Sequence, residues 1–507
     1  MKKTVILLMV LAILSKVVVY LHDVVLAYFY GAGDVTDVYF IAITIPLLLF
    51  SFFGTAINTA LIPKYHEIEL KKSLMEAEKF NSKILNLMIY VISLILVLLL
   101  IFTEEVVYLF ASGFTASKMS LAIEFTRIVA FSLIFSLVAA VFKSYLHLKG
   151  VFWVSSIINA PKYVIIIGSI VISSFTSPYL IAYGFLVGSI VQVLIYLPFV
   201  LKSGFRYYFN LKVFDRESWN FFLLVLPVLF TIAITDINKI IDKNLASLLD
   251  SGSVSYLQYA FNVTSLFQVI IVTSITTVIY PRLSKISLDL NRREEFKDEI
   301  YKGVTLSLLL LIPSFFGVMF FSNEMISLLY GRGEFGSESI RTTSRVLVYY
   351  GIGIIGMGSS QIFNRGLYAL KKFKKSFFAS IVTVSVNIIL NFIFFYNTDL
   401  GINGLALATS ISLSVSAIVF ALVLRKEANG LNLKRITRPS IIIILASGIM
   451  TVIIKVILSY LDNIFVSNGS FVVSAVIGIL VYFILLMLFN LEEMSIIKKT
   501  VKKVFNR

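Results

Sequence analysis

Eight cationic side chains sit well inside long apolar runs: Lys16, Arg127, Lys162, Lys239, Lys243, Arg345, Arg365 and Lys455. A charge at the centre of a bilayer costs roughly 2.5–3.5 kcal/mol on insertion scales, so each needs a compensating role. Arg127, Arg345, Lys455 and Arg365 fall near the ends of their runs, where snorkelling or a local pair accounts for them. Lys16 and Lys162 fall near mid-depth, and Lys162 follows Asn159 and Pro161, a pattern that frees helix carbonyls. Both are expected to face a cavity. His22 and Asp23 lie on the same apolar run as Lys16. In the run 218–248, Asp236, Lys239 and Lys243 share one helical face, as an internal ion-pair ladder or as the charged wall of a hydrated cavity. Gln258, Asn262 and Ser265 add a neutral polar face; Asn387 and Asn391 are one turn apart, and Thr409 lies on the next run. With Asp236, such oxygens suit a monovalent hard cation, and interhelical hydrogen bonds are the other reading.

Other chemistries are excluded. The chain has no cysteine, which removes disulfides, thiolate metal sites and cysteine nucleophiles. Its three histidines, His22, His66 and His147, have no metal-ligand spacing. No Gly-Lys dipeptide occurs, so there is no Walker A loop. No enzyme activity and no bound cofactor are expected.

The elements that must carry these residues are membrane helices. Of 507 residues, 58% are hydrophobic and 14% charged, against about a quarter charged in an ordinary soluble domain. Apolar runs long enough to cross about 30 Å of hydrocarbon recur throughout. The sequence predicts fourteen spans: 4–30, 37–63, 83–103, 121–145, 152–175, 178–201, 218–248, 254–281, 303–322, 341–369, 376–396, 402–424, 439–460 and 470–490. The N-terminal run resembles a signal peptide, but Lys16 interrupts it, and it reads as an uncleaved first span. Alternate loops carry most of the Lys and Arg, which predicts cytoplasmic termini. The same bias assigns the net charge of +16 to topology and anionic lipid headgroups rather than to a nucleic-acid partner.

Spans 1–2 recur as spans 7–8: Asp23 aligns with Asp242, Leu26 with Leu245, Gly33 with Gly252 and, after one gap, Pro63 with Pro281. An offset of six spans predicts two six-helix lobes related by a pseudo-two-fold axis along the membrane normal. The expected organisation is a first lobe at 1–201, a cytoplasmic linker at 202–217, a second lobe at 218–424, two added helices within 439–490 and a basic cytoplasmic tail at 491–507. The fold class is an all-α polytopic membrane protein.

Several segments resemble the MurJ/MviN family of lipid II flippases, within the multidrug/oligosaccharidyl-lipid/polysaccharide exporter superfamily. They are Ser15–Pro63, with its Gly31-Ala32-Gly33 loop; Ile241–Ser247 through Gly252–Ser255 to Tyr280–Lys285; Leu329–Phe335 with Tyr350–Gly353 and Arg365–Leu370; and Gly404–Thr409. The resemblance implies an alternating-access flippase in the bacterial cytoplasmic membrane. Its cationic cavity would hold the pyrophosphate of an undecaprenyl-linked saccharide, with lipid II the leading substrate. The last two spans would frame a groove for the lipid tail. It also implies a sodium site, matched best here by Asp236, Asn387, Asn391 and Thr409. Sodium, protons and the membrane potential are the candidate driving forces. The expected partners are the lipid-linked saccharide, the bilayer and cell-wall or polysaccharide synthesis proteins.

The frame residues Asp23, Asp37 and Pro63 are retained, whereas the family's arginines are rewritten. Lys16 and His22 stand where arginine is expected, as do Phe50-Ser51 and Asn262. Lysine is a point charge without arginine's bidentate fork. The expected substrate-binding set is therefore Lys16, His22, Asp23, Asp37, Lys162, Lys239, Lys243 and Asn262. Three alternatives stand beside lipid II: a flippase for another polyprenyl-linked glycan, a cation-coupled small-molecule exporter and a non-transporting scaffold.

Overall fold

The computed structural model describes residues 2–209, 213, 215–432, 434–461 and 467–489. The basic tail 491–507 and part of the segment 202–217 lie outside them. The first ten helices are α1 (Lys2–Tyr30), α2 (Asp34–Lys71), α3 (Leu74–Ile101), α4 (Thr103–Ala111), α5 (Ala116–Ala130), α6 (Ser132–Leu148), α7 (Trp153–Ile157), α8 (Asn159–Ser173), α9 (Tyr179–Lys202) and α10 (Arg216–Ser247). They are followed by α11 (Ser253–Phe267), α12 (Thr273–Ile286), α13 (Arg293–Tyr330), α14 (Ser337–Gly351), α15 (Ile354–Ala369), α16 (Phe373–Asn397), α17 (Ile402–Glu427), α18 (Lys434–Leu461) and α19 (Ser467–Leu488). No strand occurs among the described residues. In hydrocarbon every backbone amide must be satisfied within its own segment, and helices do this.

Twelve helical segments, or thirteen with the α14–α15 pair bent by 41°, are long and apolar enough to cross a membrane. The remaining span of the expected fourteen, 218–248, is α10, whose 32 residues make a single helix. At 1.5 Å per residue it is about 48 Å long, enough to span. Short helices combine into spans: α5 with α6, α7 with α8, and α11 with α12 through a π-helical turn at Gln268–Val272.

The chain forms two compact units. The first contains residues 1–255 together with the loop Arg332–Gly336. Its spine is α2, which packs on α3, α5, α6 and α10 and buries Val38, Tyr39, Ile41 and Ala42 completely. Close packing of α8 and α9 rests on Gly184 and Gly188, a small-xxx-small pair. A Cβ at Gly184 would lie 1.8 Å from Ser169 Oγ, and one at Gly188 would lie 2.8 Å from the Lys162 carbonyl.

Helix α10 packs against α2 and α4 and so falls in the first unit. Its Asn244 amide donates to the carbonyls of Tyr108 (3.3 Å) and Leu109 (3.0 Å), which end an otherwise open helix terminus.

The second unit contains residues 256–331 and 337–507. Its core joins α12, α13, α15, α17, α18 and α19 through Leu283, Ile300, Ile362, Leu367, Leu424, Ile443 and Leu486, all fully buried. The outer faces of α16, α18 and α19 expose Phe378, Ile389, Val452 and Leu480. In a membrane these apolar faces meet lipid tails.

Candidate functional site

In the first unit, Tyr39 and Phe40, adjacent on α2, anchor two polar groups. On one side lies His22, which is 3% exposed. Its Nε2 is 2.7 Å from the Tyr39 hydroxyl, its Nδ1 is 3.1 Å from Asp23 Oδ1, and the Tyr163 ring meets it edge-on at 5.3 Å. Lys162, next to Tyr163 on α8, is buried, with Nζ 4.3 Å from the centre of the Phe185 ring. It makes no ion pair among the described residues, so the aromatic face supplies its compensation.

On the other side lies α10. Asp236 is buried and holds Lys239 Nζ at 2.7 Å on one oxygen and the Ser51 hydroxyl at 2.7 Å on the other. The Lys239 side chain remains 56% exposed. Lys243 Nζ lies 3.5 Å from the Phe40 carbonyl and 5.9 Å from its ring. The α10 ladder is therefore real between Asp236 and Lys239, and Lys243 turns to α2 instead. Lys16 is exposed and has no ion pair among the described residues.

Asp37 differs from the cavity-lining role expected of it. It is 1% exposed, and its carboxylate accepts four bonds. Oδ1 takes Ser255 N (2.8 Å) and Ser255 Oγ (2.6 Å). Oδ2 takes Gly252 N (2.8 Å) and Lys118 Nζ (2.7 Å). Both amides open α11, so Asp37 is an anionic cap on that helix N-terminus. Lys118 Nζ also reaches Asp34 at 2.9 Å, and Asp34 accepts from Ser251 Oγ at 2.6 Å. With its lone pairs engaged by protein, Asp37 is a clamp.

Beside it, two glycine turns interlock. Glu334 N donates to the Tyr28 carbonyl at 2.9 Å, and Gly31 and Gly333 both have positive φ, +57° and +59°. A Cβ on Gly31 would lie 2.6 Å from Glu334 O, and one on Gly333 would lie 2.2 Å from Tyr28 O. Both glycines are needed for the backbones to approach this closely.

In the second unit, Asn262 Oδ1 accepts from Gln258 Nε2 at 2.8 Å. Asn391 donates to Asn387 Oδ1 (3.2 Å), Asn387 donates to Thr409 Oγ1 (3.3 Å), and Thr409 donates to the Leu405 carbonyl (3.1 Å). This chain links α16 to α17. Asp236, the carboxylate grouped with them in sequence, belongs to the first unit. The second unit also holds an apolar groove of about 390 Å³ among α13, α18 and α19, lined by Pro313, Phe321, Met450, Phe471, Ile479 and Tyr482.

Sequence reasoning missed Lys118, Tyr39 and Tyr163. Lys118 was legible only as a lone cation in a cation-poor loop, and nothing in the spacing pairs it with Asp37, 81 residues away.

A model of the family described as "Lipid II flippase MurJ" matches residues 26–495. Among curated relatives, a probable lipid II flippase MurJ of Thermotoga maritima is 29% identical over 482 residues, 95% of each chain. A lipid II flippase MurJ of Thermosipho africanus is 30% identical over 474 residues, 93% of each chain. A solved structure titled "Lipid II flippase MurJ, inward closed conformation" is 31% identical with a TM-score of 0.81, covering 96% of this chain and 98% of that one.

Proposed function

The chain belongs to the lipid II flippase MurJ family, and from that premise we propose that it moves an undecaprenyl-pyrophosphate-linked saccharide, lipid II first, across the bacterial inner membrane. The observation that carries this reading is the full-length likeness to a MurJ structure, TM-score 0.81 over 96% of the chain. The chemistry supports it: a pyrophosphate cannot cross hydrocarbon unaided, and fixed cations replace its water while the tail stays in lipid. Lys16, Lys162, Lys239 and Lys243 supply those cations, with His22 beside them. Asn262 adds a neutral hydrogen-bonding group. The groove among α13, α18 and α19 takes the polyprenyl tail.

The same reading puts both termini in the cytoplasm, divides the core into lobes at 1–201 and 218–424, and makes sodium a candidate coupling ion, with Asn387, Asn391 and Thr409 as oxygen donors on α16 and α17. Cell-wall synthesis proteins are its partners. A second reading, another polyprenyl-linked glycan, is favoured by one observation: lysine and histidine stand where the family pattern has arginine. Complementation separates the two. Rescue of a strain depleted of its lipid II flippase is the expected result. Failure to rescue by protein that is inserted normally, with binding of a different polyprenyl-pyrophosphate glycan, overturns lipid II as substrate.

A further inference from the structure

Of the three histidines, His66 is exposed, His147 is half-buried at the end of α6, and His22 alone lies mid-helix in a span. Imidazole is the side chain whose charge ordinarily changes between pH 5 and 8. The contacts of His22 suit such a change. In the neutral ring, Nδ1–H donates to Asp23 Oδ1 (3.1 Å) and Nε2 accepts from the Tyr39 hydroxyl (2.7 Å). When a proton adds to the Nε2 lone pair, the Tyr39 hydroxyl rotates and its oxygen accepts instead. Neither contact breaks, and the new charge arises beside a carboxylate. A fixed arginine at this position could do none of this.

We propose that His22, with Asp23 and Tyr39, is a proton-binding site whose occupancy is linked to transport. The inference rests on the flippase reading for its linkage and on geometry alone for the site. Asp23 meets His22 from α1, which also carries Lys16 on another face, six residues earlier. Tyr39 comes from α2. Tyr163 comes from α8, whose Lys162 lies over Phe185 on α9. The neighbouring α7 contributes no charged group. The side chain of Asp23 is 13% exposed and is the way in for the proton. An imidazolium attracts a pyrophosphate that a neutral imidazole does not, so proton and substrate each strengthen the binding of the other. The linkage is reciprocal, and roughly fivefold or more in substrate affinity is its expected size.

Two experiments on the full chain in nanodiscs and proteoliposomes test this. The first follows ¹⁵N-labelled histidine by NMR from pH 4 to 9, with His22 assigned by difference from His22→Gln. Its ring is expected to gain a proton within that range. A His22 ring that keeps one protonation state throughout overturns the site. The second measures translocation of a polyprenyl-pyrophosphate glycan with and without a pH gradient. The parent is expected to respond to the gradient, and so is His66→Gln, whereas His22→Arg does not. A response that is equal in parent and His22→Arg overturns the linkage. Absence of translocation at every pH, in protein whose His22 titrates, overturns the flippase reading and leaves the proton site standing.

Discussion

Replacing Asp37 by asparagine tests the clamp on α11. The carboxylate divides four donors equally between its oxygens: Ser255 N and Oγ on one, Gly252 N and Lys118 Nζ on the other. Whichever oxygen becomes an amide nitrogen, two donors lose their acceptor, and one of these is a backbone N–H. Ser255 Oγ can fall back on Thr36 Oγ1 at 2.8 Å, and Lys118 on Asp34 at 2.9 Å, so the orphaned amide decides the outcome. Hydrogen bonds to a charged group are worth about 1.5–3 kcal/mol, and the bonds that survive lose their charge assistance. A local destabilisation of about 3 kcal/mol follows, or about a hundredfold at 1.4 kcal/mol per factor of ten. The assay is amide hydrogen exchange by mass spectrometry on a peptide covering 249–258, because local opening sets exchange there. Lys118→Met removes one donor and leaves Asp37 three, so its expected loss of protection is about tenfold or less. If the Asp37→Asn peptide keeps protection within threefold of the parent, the clamp does not hold α11.

The remaining predictions concern packing and one buried carboxylate. Gly333→Ala forces a Cβ to 2.2 Å from the Tyr28 carbonyl at positive φ; a cost of about 1–3 kcal/mol is expected as faster exchange at 332–336. Gly184→Leu drives α9 off α8 at Ser169 and is expected to abolish a monodisperse peak in size-exclusion chromatography, whereas Gly168→Ala, which meets open space, leaves it intact. Near the N-terminal end of α3, buried Glu78 accepts from the hydroxyls of Tyr65 (2.6 Å) and Tyr145 (2.9 Å) and pairs with Lys149 (3.2 Å). Burial, and then the Glu78 carboxylate, push the Tyr65 hydroxyl up, so it remains a donor at every physiological pH. Glu78→Ala takes the acceptor from the Tyr65 hydroxyl, which keeps only the Lys149 ammonium as a donor to it (3.1 Å), and leaves the Tyr145 hydroxyl a long bond to the Ser203 carbonyl (3.5 Å); a loss of about 2 kcal/mol should lower the detergent unfolding temperature by roughly 4–8 °C. An unchanged midpoint would refute that role.

The sequence by itself determined the membrane class, the helices, the alternation of basic loops and the family frame. Each is written in local composition: apolar length makes a span, and glycine marks the turns at Gly31 and Gly333. The repeat was legible too, because Asp23 and Asp242 have matching neighbours along the sequence. Partners were not legible. Hydrophobic periodicity names the face a helix buries and is silent on which helix covers it, so the placement of α10 against α2 and α4 came only from packing. Asp37 and Lys243 stood together in the expected substrate-binding set. Tertiary structure made the first a saturated helix cap and turned the second onto the Phe40 carbonyl, since a charge takes its role from the donors within about 3 Å. For His22 the sequence supplied an imidazole beside Asp23. The approach of Tyr39 from α2, across 17 residues of chain, gave its second ring nitrogen a hydrogen-bond partner.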